Sequence, residues 1–209
     1  MKLYLSSFKV GNKGNKLAKM IASEKKIAVI PNALDCYPDL ERRKKSEEEE
    51  ITSLRALGLK PELLDLRDYF NKGQELRKKL NDFNAVWVRG GNVFVLRVAM
   101  KKSGFDKFIK EKVKDKDFVY AGYSAGTCSL SKSLKGFEIV DDVNALQDAY
   151  PGESVIWDGL SLIDFVFVPH YKSDHPESPA IEKEVEFLKK NDINYKTFRD
   201  GEVYVSEIK

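Results

Sequence analysis

The sequence predicts an α/β fold in which a mostly parallel central sheet carries helices on both faces. Two observations carry this reading. Short, nearly continuous apolar runs such as IAVI and FVFV recur along the chain, as in strands covered on both faces, and longer amphipathic segments separate them, as in successive βαβ units.

Taken in order, the runs Leu3–Leu5, Ile27–Ile30, Leu63–Leu66, Ala85–Val88, Phe118–Ala121 and Phe165–Val168 are the expected central strands. Between them, Leu40–Leu57 places Ile51, Leu54 and Leu57 on one side and stops at Gly58 and Pro61, as a helix should. Further helices are expected over Lys72–Leu80, Val93–Lys102, Phe105–Lys112 and Pro176–Lys190. In the last, Pro176 and nearby acids suit the start, and Lys189 and Lys190 suit the end. Tyr195–Phe198 and Val203–Ile208, joined by Arg199-Asp200-Gly201-Glu202, read as a C-terminal hairpin on the sheet edge.

A chain of 209 residues with 42% hydrophobic and 33% charged residues is sized and composed for one α/β domain spanning 1–209. The net charge of +3 is dispersed, which argues against a nucleic-acid partner. The one conspicuous charge block, Glu41–Glu50, reads as a solvated helix face. Cys36 and Cys128 lie far apart in no metal-binding spacing, so neither a disulfide nor a metal is expected, and a reducing, cytoplasmic setting is. No apolar run is long enough for a secretory signal or a membrane span.

The chemistry centres on FVYAGYSAGTCSL, where Gly122-Tyr123-Ser124-Ala125-Gly126 follows a buried strand. Small residues around a central serine at a strand-to-helix turn make a nucleophile elbow, with the hydroxyl exposed at the carboxyl end of the sheet. A serine needs a base, and the chain has two histidines. His170 ends the strand LIDFVFVPHY, where active sites of open α/β sheets gather, whereas His175 lies in the polar loop KSDHPES. An acid should hold the base's tautomer. Asp141, Asp142, Asp148, Asp158, Asp164, Asp174 and Glu177 are all candidates from the residues alone.

A second loop, Arg89-Gly90-Gly91-Asn92, follows the strand AVWV. Its adjacent glycines let backbone N–H groups approach a ligand, and an oxyanion hole needs such a partner for the Ala125 N–H. Gly90, Gly91, Asn92 and Ala125 are therefore the expected substrate-binding positions. Cys128 falls one helical turn past Ser124 and reads as a small core residue rather than a nucleophile.

The ordered set WVRGGNVFVL, YAGYSAG, SLKGFEIVDD and DFVFVPHYKSDHPE resembles the peptidase E family, serine peptidases that include aspartyl dipeptidase and are related to cyanophycinase. The resemblance implies a class I glutamine-amidotransferase-like fold, with serine in place of the amidotransferase cysteine, and hydrolysis of short peptides without metal or organic cofactor. It implies Ser124 as nucleophile, His170 as base and the N–H groups of Gly91 and Ala125 as oxyanion hole. It also implies an acid between nucleophile and histidine, placed at Asp142 with Asp141 second. Aspartyl dipeptidases carry an arginine after the histidine. Here YKSDHPESPAIEKE holds Lys172 and no arginine, so an aspartyl preference is not expected. Two other readings fit the same residues: a serine hydrolase acting on a non-peptide amide or ester, and a non-catalytic protein binding a small ligand. None of them selects a monomer over an oligomer.

Overall fold

The computed structural model describes residues 1–21 and 24–208; Ala22, Ser23 and Lys209 lie outside it. The chain opens with β1 (Lys2–Ser6), α1 (Gly14–Met20), β2 (Lys26–Ile30) and α2 (Leu40–Ala56). It continues through β3 (Lys60–Leu63), α3 (Gly73–Leu80), β4 (Ala85–Val88), α4 (Val93–Ser103), α5 (Phe105–Lys112) and β5 (Val119–Tyr123). Short α6 (Ala125–Cys128) and α7 (Ala145–Ala149) precede β6 (Val166–Val168), α8 (Ser178–Lys190), β7 (Tyr195–Thr197) and β8 (Val203–Glu207).

Six strands form one sheet in the order β3-β2-β4-β5-β1-β8. All neighbours are parallel except β8, which runs antiparallel to β1. Side chains alternate between two buried faces, which is why the runs look continuously apolar. Leu3, Leu5, Ala28, Ile30, Val86, Val88 and Tyr120 join the larger core, under α3, α4, α5 and α8. Tyr4, Ile27, Val29, Ala85, Trp87, Val119 and Ala121 join the smaller one, with Leu17 of α1 and Leu54 of α2.

The fold class expected from the sequence is the one observed, with three local differences. The C-terminal hairpin does not form. β7 pairs in parallel with β6 in a separate two-stranded sheet, Val166 opposite Tyr195, while β8 pairs with β1, Lys2 opposite Glu207. Phe198 stacks on Phe167 with ring centroids 4.1 Å apart, which draws the chain after β7 toward β6 before it crosses to the main sheet. The turn itself is real, closed by the Glu202 N–H to Arg199 O at 2.9 Å.

The third strand starts earlier than expected, at Lys60 rather than Leu63, because β3 is an edge strand and tolerates Pro61. The charge block on α2 is not all solvated: Arg43 and Glu50 are buried. Arg43 pairs with Asp35 at 2.7 Å, and Glu50 accepts hydrogen bonds from Trp87 Nε1 at 2.8 Å and Tyr123 Oη at 3.0 Å.

Candidate active site

β5 delivers Ser124 to the carboxyl end of the sheet with φ 46° and ψ −122°, a region that non-glycine residues avoid. Local contacts hold it there. The Ser124 carbonyl accepts from the Thr127 and Cys128 N–H groups at 2.8 and 2.9 Å and from Thr127 Oγ1 at 2.7 Å. The turn also needs a glycine two residues on, since a Cβ at Gly126 would lie 2.1 Å from Val88 O on β4. On the other side, the Tyr123 to Glu50 hydrogen bond ties the last strand residue to α2.

The Gly90-Gly91 loop lies against this turn: a Cβ on Gly90 would sit 2.9 Å from Ser124 Cβ. Gly91 has φ 139°, and a Cβ there would meet Ala33 O at 2.5 Å, so the conformation belongs to glycine. Neither the Gly91 nor the Ala125 N–H has an acceptor among the described residues. Two free donors beside a strained serine can stabilise a developing oxyanion.

His170 follows β6, also at positive φ (57°), and is 1% exposed. Its Nδ1 lies 2.7 Å from Asp200 Oδ1. Ser7, at the end of β1, knits the pair together: its Oγ accepts the His170 N–H at 2.8 Å and lies 3.0 Å from Asp200 Oδ1 as donor. The Asp200 N–H in turn donates to Ser173 Oγ at 2.8 Å. The ring of His175 stacks on that of His170, centroids 3.7 Å apart and 9° from parallel, and Phe8 packs edge-on against both. Burial and the neighbouring His175 push the His170 pKa below its usual 6.5, against the opposing pull of Asp200. Its Nε2 faces Glu177 Oε2 at 3.9 Å, and no hydrogen bond joins Nε2 to Ser124 Oγ among the described residues.

Two expectations are corrected by this geometry. Asp142, expected beside the histidine, instead caps a turn by accepting the Asn144 N–H at 2.9 Å, and Asp200 occupies the position on Nδ1. The acid lies thirty positions after the histidine in sequence, in the turn read as a hairpin loop. The Asp200-Gly201 pair at the end of β7 was the available signal. It points to the site only once β7 is known to run parallel beside β6, so that the two strands' carboxyl ends coincide. Asn92, expected at the substrate, holds the fold: its Oδ1 caps α4 at the Phe94 and Val95 N–H groups, 3.0 and 3.1 Å, and its Nδ2 donates to Asp142 O at 2.8 Å.

No metal-ligand spacing is visible in the sequence, yet the fold brings ligand atoms of His170, His175 and Glu177 within 4.8 Å of one another. The two imidazoles are stacked nearly parallel, so their in-plane lone pairs do not converge on one point. A shared ion would require a ring to turn. Cys128 is buried beneath the turn with Sγ 3.4 Å from Phe167 O, and burial drives its thiol pKa well up, as suits a core residue rather than a nucleophile.

In sequence and in fold the chain is similar to known peptidases. The sequence profile of peptidase family S51 matches residues 8–204. An uncharacterized peptidase of Listeria monocytogenes is 31% identical over 121 residues, covering 58% of this chain and 55% of the relative. Peptidase E of Streptomyces coelicolor is 29% identical over 143 residues, covering 66% and 54%. The matched stretches thus span about half the length of these curated relatives. In fold, the chain superimposes on the crystal structure of a candidate peptidase E protein from Listeria monocytogenes with TM-score 0.73 and 23% identity, covering 100% of this chain and 98% of the other. A peptidase from an acI-B1 actinobacterium gives TM-score 0.69 at 16% identity, covering 99% and 83%. No helix among the described residues is long and apolar enough to cross a membrane.

Proposed function

The chain belongs to peptidase family S51, and on that footing we propose that it is a serine peptidase hydrolysing short peptides through an acyl enzyme. The observation that carries the proposal is the buried His170–Asp200 pair, 2.7 Å apart, in the same site as a serine held at positive φ beside two free N–H donors.

In this reading Ser124 Oγ attacks the scissile carbonyl and His170 Nε2 takes its proton. Asp200 keeps the other ring proton on Nδ1 and stabilises the imidazolium. The carbonyl oxygen, now negative, lies between the Gly91 and Ala125 N–H groups. His170 passes its proton to the leaving amine, then takes one from the water that releases the acyl group. The Ser124–His170 hydrogen bond, absent in the free protein, tightens as the substrate settles, a common feature of unliganded active sites. A reducing compartment such as the cytoplasm suits the free cysteines Cys36 and Cys128.

The test is a dipeptide-library screen of wild type, Ser124→Ala and His170→Ala, with folding checked by circular dichroism. Each variant should lose nearly all activity, and the double variant should be scarcely worse, because residues acting as one unit are strongly non-additive. A fluorophosphonate should label the wild type and not Ser124→Ala. Full hydrolysis by Ser124→Ala would sink the proposal and favour a ligand-binding role.

A further inference from the structure

Around His170 three side chains carry the donor set of a transition-metal centre. Glu177 Oε2 lies 3.9 Å from His170 Nε2 and 3.9 Å from His175 Nδ1, and the ligand atoms of the three residues fall within 4.8 Å of one another. Both nitrogens present lone pairs. Asp200, 2.7 Å from His170 Nδ1, holds the ring proton there and leaves Nε2 bare, while His175 Nδ1 accepts the Glu177 N–H at 3.3 Å. A histidine whose far nitrogen is held by a carboxylate is oriented and made more basic, as metal-binding histidines are. Two imidazoles and a carboxylate suit zinc and its neighbours and leave a fourth position open. Magnesium and calcium, which prefer oxygen, are poorly served by such a set.

We propose that His170, His175 and Glu177 form an inhibitory site for a divalent transition-metal ion, zinc in the first place, whose occupation reversibly silences the peptidase. Binding needs only the three side chains; the inhibition rests on the peptidase reading above, in which His170 Nε2 takes the Ser124 proton. An ion on that lone pair leaves the serine without its base. The proton on Nδ1 stays with Asp200, so coordination displaces none from the ring.

The stacked rings set what must move. Tetrahedral zinc bonds of about 2.0–2.1 Å separate ligand atoms by about 3.3 Å, so each 3.9 Å gap has to close by about 0.6 Å and the gap between the two nitrogens by reorientation of a ring. His170 is fixed, 1% exposed, with Asp200 on its ring and Ser7 on its backbone N–H. His175 is the ring that turns. Its side chain is 18% exposed in the loop before α8, and what it gives up is its stacking contact and one long hydrogen bond. Glu177, 43% exposed, is free to follow.

The first test measures dipeptide hydrolysis by the wild type at zinc concentrations fixed by a metal buffer. Rate should fall as zinc rises, return in full on adding EDTA, and be indifferent to the same concentration of magnesium. Scored against its own zinc-free rate, each of His175→Ala and Glu177→Gln should need about tenfold more zinc for half inhibition, the order of loss when the support of a metal ligand is disturbed. Inhibition equal in the wild type and both variants would place the ion elsewhere and overturn the proposal. So would a wild type still fully active at zinc that saturates the binding measured below.

A second arm does not depend on turnover. Ser124→Ala keeps all three ligands, and in a Cys36→Ser background, which removes a partly exposed thiol, it should bind zinc one to one in competition with a chromophoric chelator. Adding His170→Ala, His175→Ala or Glu177→Gln should weaken that affinity by about tenfold or more. Binding at these ligands without hydrolysis of any dipeptide would keep the metal site and remove the peptidase reading. Hydrolysis untouched by zinc, with no binding, would do the reverse. Circular dichroism checks each variant; should a histidine variant not fold, Glu177→Gln, altered at a side chain 43% exposed, decides alone.

Discussion

His170 Nδ1 and Asp200 Oδ1 lie 2.7 Å apart, joined across two different strand ends and linked to each other again through Ser7 Oγ. This pairing gives the acid of the site a different identity from the one the sequence suggests, and the difference is measurable. Asp200→Asn should lower kcat by about 10²- to 10⁴-fold, since the ring loses both its tautomer control and its counter-charge. Asp142→Asn, altered at a turn-capping side chain, should keep activity within about threefold. Steady-state dipeptide kinetics on the two variants separate them; equal losses would mean that Asp200 has no special role.

In the proposed mechanism Ser7 is a positioning residue. Removing its hydroxyl leaves the His170 N–H without its acceptor and frees Asp200 from one donor, so Ser7→Ala should cost about tenfold in kcat with little change in KM. Ser7→Thr, which keeps the hydroxyl, should restore much of it. A purely structural loss would instead appear as lowered stability with kcat of the folded fraction intact.

The pH profile has a definite sign. In the proposed mechanism His170 works as a base only when neutral, and burial with His175 lowers its pKa, so the acid limb of kcat/KM in the free enzyme should fall below 6.5. Rate should be full at neutral pH and lost as pH drops through that limb. The groups facing the ring are His175, Asp200 and Glu177. His175→Ala removes a depressing neighbour and opens the ring to water, so the limb should move upward while the plateau rate is largely kept. A limb that moves down would contradict the assignment of His170.

Asp141 links stability to pH in the opposite sense. Its pKa is raised to about 7, chiefly by burial and against the Val93 N–H that its Oδ2 accepts at 2.7 Å. The native chain therefore holds a proton that the unfolded chain releases at lower pH, and the resulting stability, full in acid, is lost as pH rises to about 7. The side chain keeps some solvent contact, so Asp141→Asn should stabilise by about 1–2 kcal/mol at pH 8 and little at pH 4. Urea unfolding at the two pH values reads this directly.

At Gly126 the constraint is steric. A Cβ placed 2.1 Å from Val88 O forces β4 and the elbow apart, so Gly126→Ala should destabilise by about 2 kcal/mol or more and reduce fluorophosphonate labelling of Ser124 in the folded protein. An unchanged melting temperature would mean that the turn is more yielding than its contacts indicate.

The sequence by itself determined the α/β class, most of the helices and the strand-to-helix turn at Ser124, because these depend on local periodicity and on small residues next to each other in the chain. Helix Phe105–Lys112 and strand Ala85–Val88 fall where their apolar spacing puts them. It also brought out the Gly90-Gly91 loop and His170 at a strand end, both set by their immediate neighbours. Only the tertiary structure decided which carboxylate meets His170. Asp200 reaches it because β7 leaves the expected hairpin to run parallel beside β6, a pairing between segments separated by helix α8. The same non-local packing buried Glu50 within a run of charges and left the buried Glu184 carboxyl without a hydrogen-bond partner among the described residues. Amphipathic spacing states which side of a helix faces inward; it carries no information about what that side will meet.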